Sequence, residues 1–155
     1  MSSKSFEKQV AIVTGAGQGI GYAIAVQLSL QGASVILNDI DGALAKNAVA
    51  MIEKQGGSCI AMSGDASDTD FIEKMVSKAV QLYGFLTIAV ANAGITVYGD
   101  FFEYQPQALQ KVMNLNLGGS FFLAQAAAKQ MNDLLRMRSP RFAKRVALTS
   151  RLLRI

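Results

Sequence analysis

Along the first 92 residues, short apolar runs alternate with longer stretches in which apolar positions recur at helical spacing. The runs at residues 10–14, 34–39, 58–62 and 86–92 are nearly continuous, as expected for parallel strands covered on both faces. Gly32, the Gly56-Gly57 pair and Gly84 each stand just past a helical stretch and just before a strand. There the left-handed C′ position favours glycine. Asp41, and Ser67 or Asp68, suit helix N-caps, because their side-chain oxygens can accept from the free N–H groups of a first turn. Phe71, Met75, Ala79 and Leu82 repeat at helical spacing in the third helix. A single long helix is expected over residues 105–135, with Leu109, Val112, Met113, Leu117, Phe121 and Leu123 as its apolar positions. Repeated strand–helix–strand units predict an α/β fold: a truncated doubly wound parallel sheet, Rossmann-like, of four or five strands with helices on both faces.

Composition narrows this picture. A chain of 155 residues, 51% of them hydrophobic, can bury one core and is short for two. Its 14 Gly and 2 Pro suit a compact domain with tight turns. Cys59 is the single cysteine and there is no His, which excludes an internal disulfide, a Cys/His zinc site and histidine acid–base chemistry. The first apolar run breaks at Gly15, so no secretory signal is read, and no stretch approaches the roughly 18 apolar residues of a membrane span. A cytoplasmic chain is the expectation.

Charge divides the chain unevenly. Residues 1–135 hold 8 Lys, no Arg and all 11 acidic residues, a net of −3. Residues 136–155 hold 6 Arg and Lys144 with no acid, a net of +7. The organisation expected is therefore an incomplete domain over residues 1–135 and an Arg-rich tail over 136–155.

The candidate chemistry begins at residues 14–21, Thr-Gly-Ala-Gly-Gln-Gly-Ile-Gly, between the first strand and a helix starting near Ile20. Glycines there let the chain reverse, let backbone N–H groups approach a pyrophosphate and let helix pack close to strand, while the helix N-terminus attracts the phosphates. The spacing departs from Gly-x-Gly-x-x-Gly and fits Thr-Gly-x-x-x-Gly-x-Gly through Thr14, Gly15, Gly19 and Gly21. Asp39 ends the second strand 18 residues after Gly21, close to the spacing of about 20 for an acid that bonds the adenosine ribose hydroxyls. A carboxylate there repels a 2′-phosphate, so NAD is favoured over NADP. Asp39 can also be read as a plain turn residue leading into the Asp41 cap.

With Thr14–Gly21, Asp39, the pair Asp65-Ala66 after strand three, Asn92-Ala93-Gly94 after strand four and Asn116-Leu117 in the long helix, the chain resembles the short-chain dehydrogenase/reductase family. The likeness covers about residues 8–133, with motifs in the family order; Ala91 stands where the family often has a second Asn. It implies a dinucleotide on Thr14, Gly15, Gln18, Gly19, Ile20 and Gly21, with Asp65 and Ala66 by the adenine. It further implies Asn92, Ala93 and Gly94 as the cofactor floor, and Asn116 holding a water in a proton relay. In the family a Ser ending strand five orients a substrate alcohol or ketone, and a Tyr-x-x-x-Lys pair supplies the acid–base group. The lysine lowers a tyrosine pKa that is ordinarily about 10. Here Tyr22, Tyr83, Tyr98 and Tyr104 are followed four residues on by Val26, Thr87, Phe102 and Ala108, so the pair is absent from this sequence.

The tail has three readings. Residues 146–149 could be a fifth strand with Ser150 as the family serine, the whole segment could be a scar left by a lost reading frame, or it could form a basic amphipathic helix for an anionic surface. The confinement of every Arg to the last 20 residues favours the scar. Two functions from different classes follow: an NAD-preferring oxidoreductase, or a binding module that keeps the adenosine side of the site without turnover. A methyltransferase with a similar glycine loop leaves Thr14 and Asn92-Ala93-Gly94 unexplained. No metal site and no nucleic-acid partner is read from the sequence. Self-association is expected through an exposed sheet edge and the 105–135 helix.

Overall fold

The computed structural model describes residues 4–138. Four strands, β1 (Val10–Val13), β2 (Ser34–Asp39), β3 (Ser58–Ser63) and β4 (Ile88–Val90), form one parallel sheet in the order β3-β2-β1-β4. Helices α1 (Gly19–Leu30), α2 (Gly42–Lys54) and α3 (Thr69–Tyr83) make the crossovers. Because alternate side chains of a strand point to opposite faces, the apolar runs feed two cores. On one face Ala11, Val13, Val35 and Leu37 pack with Ala25 and Leu28 of α1 and with Ala45, Ala48 and Ile52 of α2. On the other, Val10, Ile12 and Ile36 pack with Ile72, Met75, Val76 and Ala79 of α3, and with Leu123 and Ala127 further along. The fold is the doubly wound α/β sheet expected from the alternation.

Caps and turns follow the local chemistry. Asp41 Oδ1 accepts from the backbone N–H groups of Ala43 and Leu44, and Asp68 Oδ1 from those of Asp70 and Phe71, fixing the starts of α2 and α3. Gly32, Gly56 and Gly84 have φ of +103°, +84° and +85°, conformations that cost other residues a clash at Cβ.

Three expectations need correction. The buried stripe of α3 is Ile72, Met75, Val76 and Ala79, whereas Leu82 is exposed. Strand β4 is shorter than the apolar run at 86–92, because only Ile88–Val90 pair with β1. The helix expected over 105–135 is present but not regular throughout: α4 (Pro106–Met113) passes through a π-helical turn at Asn114–Gly119 into α5 (Ser120–Arg138). The turn sits where Gly118 and Gly119 remove two side chains and two Asn lower helix propensity. A Cβ on Gly119 would stand 2.5 Å from the Ala66 carbonyl oxygen, so the glycine lets the loop before α3 press against the helix.

Candidate functional site

In the order β3-β2-β1-β4 the chain reverses its direction of progress across the sheet at β1. The crevice past the carboxyl ends of β1 and β4 is where open α/β sheets take ligands. A cleft of about 790 Å³ lies there. Of the residues singled out in the sequence, Gly15, Gln18, Asp39, Asp65, Ala66, Asn92, Ala93 and Gly94 line it.

The glycine turn is anchored from below. Thr14 is buried, and its hydroxyl oxygen accepts from the N–H groups of Asn92 and Ala93 at 3.1 Å each while the hydroxyl donates to the Val90 carbonyl. Asn92 Nδ2 donates to the carbonyls of Thr14 and Gly15, both at 3.0 Å. The turn and the end of β4 are therefore one hydrogen-bonded unit. Gly15, at φ +60°, lies so near the segment after β4 that a Cβ would stand 2.8 Å from Ala93 Cα. Gly21 is buried against Gly15 and Asn92. Gly19, at φ +62°, faces open space, with nothing within 4 Å of a Cβ built on it, and Ile20 beside it is 76% exposed. Asp41 and Asp68 cap their helices, but Gln18, the N-cap of α1, makes no side-chain cap, leaving the first N–H groups of α1 available.

Asp39 is half-buried at the end of β2, with each carboxylate oxygen fixed by a backbone amide. Oδ2 accepts from Gly17 N–H at 2.9 Å and Oδ1 from Asp41 N–H at 3.0 Å. The carboxylate thus bridges the glycine turn and the start of α2, and each oxygen keeps a lone pair. Next to it Asn38, 1% exposed, donates from Nδ2 to the carbonyls of Met62 and Gly64, which sets the course of the chain toward Asp65. Asp65 Oδ1 accepts from both the N–H and the hydroxyl of Ser67 at 2.8 Å, forming a tight turn with buried Ala66. The opposite wall of the cleft is α4 with the π turn, where Gln107, Gln110, Lys111 and Asn114 present amides and one ammonium.

Asn116 stands apart from the cleft lining. Its Oδ1 accepts from Ile95 N–H at 2.9 Å, its Nδ2 donates to the Ile95 carbonyl at 3.0 Å, and its own carbonyl accepts the Ser120 hydroxyl at 2.8 Å. The side chain clamps the loop after β4 onto the π turn. Ser150 lies outside the described residues. Asn38 and Gly17 were not singled out by motif spacing; a polar side chain inside the apolar run at 34–39 was the one signal available for Asn38. The groups with displaced pKa values lie off the cleft. Burial, then Glu53, push the Cys59 thiol up to about 12 against a hydrogen bond from Ile60, and burial, then Cys59, push Tyr83 up.

An ADP-ribosyl group fits these residues. Uncapped N–H groups and open space above Gly19 suit a pyrophosphate. A carboxylate with spare lone pairs suits a ribose diol, and the shelf at Asp65 and Ala66 suits a flat base.

The family model for short chain dehydrogenase matches residues 9–138. Over 133 residues the chain is 38% identical to elsinochrome reductase 1 of Elsinoe fawcettii, covering 85% of this chain and 50% of that protein. Over 132 residues it is 36% identical to a trihydroxynaphthalene reductase of Pestalotiopsis fici, covering 84% and 47%. A short-chain type dehydrogenase/reductase from Mycobacterium marinum superposes with a TM-score of 0.81 at 28% identity, over 86% of this chain and 56% of that one. The chain spans about half the length of the curated relatives it matches.

Proposed function

The chain belongs to the short-chain dehydrogenase/reductase family, and from that premise we propose that its cleft holds the adenosine and pyrophosphate half of a nicotinamide dinucleotide, NAD in preference to NADP. When bound, the nicotinamide would exchange a hydride with an alcohol or ketone. The chain's own residues bind and orient. The first-turn N–H groups of α1 beside Gln18, Gly19 and Ile20 meet the pyrophosphate, and the Asp39 oxygens accept from the ribose hydroxyls. Asp65 and Ala66 border the base, and Asn92, Ala93 and Gly94 form the floor that Thr14 holds in place. The observation that carries this reading is the Asp39 carboxylate, locked by two backbone amides at the mouth of the glycine turn. A 2′-phosphate brought there meets a fixed negative charge at close range.

We further propose that the polypeptide of this sequence binds without turnover, because none of its four tyrosines is followed by Lys four residues on. The Asn116 side chain, committed to Ile95, acts as a brace for the loop after β4. The apolar face of α4 and α5 supports self-association. Calorimetry tests both statements about the cofactor. ADP-ribose and NAD should bind within about threefold of each other, a difference under 1 kcal/mol. No NADH should form from NAD on a panel of alcohols. A large advantage for NAD, or reproducible NADH production, would count against the proposal.

A further inference from the structure

Position 17 is free in the pattern Thr-Gly-x-x-x-Gly-x-Gly, and the backbone does not require glycine there either. Gly15 and Gly19 have φ in the left-handed region, whereas Gly17 does not. What excludes a side chain is space. A Cβ on Gly17 would stand 2.7 Å from Asp39 Oδ2, 2.9 Å from Asp39 Cγ and 2.9 Å from Leu44 Cβ. From the same residue the backbone N–H donates to Asp39 Oδ2 at 2.9 Å.

We propose that Gly17 is a specificity-determining positioning residue: it admits the Asp39 carboxylate beside the glycine turn and aims it at the adenosine ribose. This rests on the reading of Asp39 as the ribose acceptor. The two contacts of position 17 act together, since the N–H attracts the oxygen and the missing Cβ leaves room for it. Asp39 is held on its other side by Asp41 N–H, so the carboxylate has one orientation in which both amides are satisfied. A methyl at position 17 removes that orientation. The carboxylate is the flexible end of a half-buried side chain and swings outward, while the start of α2 shifts slightly to clear Leu44 Cβ. Discrimination between a ribose with a free 2′-hydroxyl and one with a 2′-phosphate then falls.

The test is calorimetry of ADP-ribose and 2′-phospho-ADP-ribose on the whole chain, as wild type, Gly17→Ala, Asp39→Ala and the double variant. Wild type should prefer ADP-ribose, and Gly17→Ala should lose at least about tenfold of that preference, chiefly through weaker ADP-ribose binding. The double variant should match Asp39→Ala in preference, because without the carboxylate position 17 has nothing to aim. A wild type with no preference, or with no binding at all, overturns the Asp39 reading and this proposal together. A preference abolished by Asp39→Ala but untouched by Gly17→Ala overturns the role of Gly17 and leaves the Asp39 reading standing. If circular dichroism shows Gly17→Ala unfolded, amide exchange in the folded Asp39→Ala chain decides. Gly17 N–H should then exchange at least about tenfold faster than in wild type, and unchanged exchange overturns the proposal.

Discussion

Thr14 shows how much of this site depends on single side chains. One buried hydroxyl satisfies two N–H groups after β4 and a carbonyl within it, where an unmet buried donor costs about 1–3 kcal/mol. Cys59 has the opposite character, a buried group that takes no part in the cleft. Its thiol, pushed up to about 12 by burial first and Glu53 second, keeps its proton in the folded chain well past the point where an unfolded thiol ionises, about pH 8.5. Its contribution to stability is full below the unfolded value and is lost as pH rises through 9 toward the folded value. Tyr83 is displaced in the same direction. Urea midpoints for wild type should therefore fall between about pH 8 and pH 11, and Cys59→Ala should flatten that slope. Equal slopes for the two chains would contradict the assignment.

Among the elements, what the sequence discloses depends on whether a signal is local. Strands β1 to β3 and the caps at Asp41 and Asp68 are legible because run length and one side-chain oxygen decide them. That Gly15, Asp39, Asp65 and Asn92 meet at one cleft is legible for the same reason, since each stands at or just past the carboxyl end of a strand read from local signals. The π turn is not legible in the same way. Leu109, Met113, Leu117 and Phe121 keep a spacing of four straight across it, so periodicity reports one unbroken helix. Its cause is partly tertiary, the approach of Ala66 to Gly119 and the grip of Asn116 on Ile95. Gly17 was invisible because the residue it accommodates is Asp39, 22 positions away in the chain. The Asn116 clamp makes its own prediction. Asn116→Leu should cost roughly 1–2 kcal/mol and speed exchange of the Ile95 amide, while Asn116→Asp, which keeps the acceptor, should preserve part of the protection. Unchanged Ile95 exchange in Asn116→Leu would show that the clamp holds nothing.

At the scale of the molecule, burial is uneven. β1 and β2 are sealed on both faces, but β4 is only half-buried and has β1 as its one partner among the described residues. Beside it, Leu109, Met113, Leu117 and Phe121 are 53%, 43%, 59% and 58% exposed at successive turns of one helical face. A contiguous apolar stripe of this kind favours association over a free monomer. Sedimentation equilibrium should show concentration-dependent association of the chain, weakened about tenfold or more by the double variant Leu117→Glu and Phe121→Glu. A wild type that stays monomeric at about 100 μM, which leaves any self-association no stronger than about 1 mM or about −4 kcal/mol, would contradict it.

On the proposed reading, the chain grips a dinucleotide by its adenosine side through Asp39. The most direct measurement is a calorimetric titration of the purified chain with ADP-ribose, beside the same titration of Asp39→Ala. Saturable binding at one site per chain, weakened at least about tenfold by the substitution, is the predicted result. No binding by the wild-type chain, or equal binding by Asp39→Ala, would contradict it.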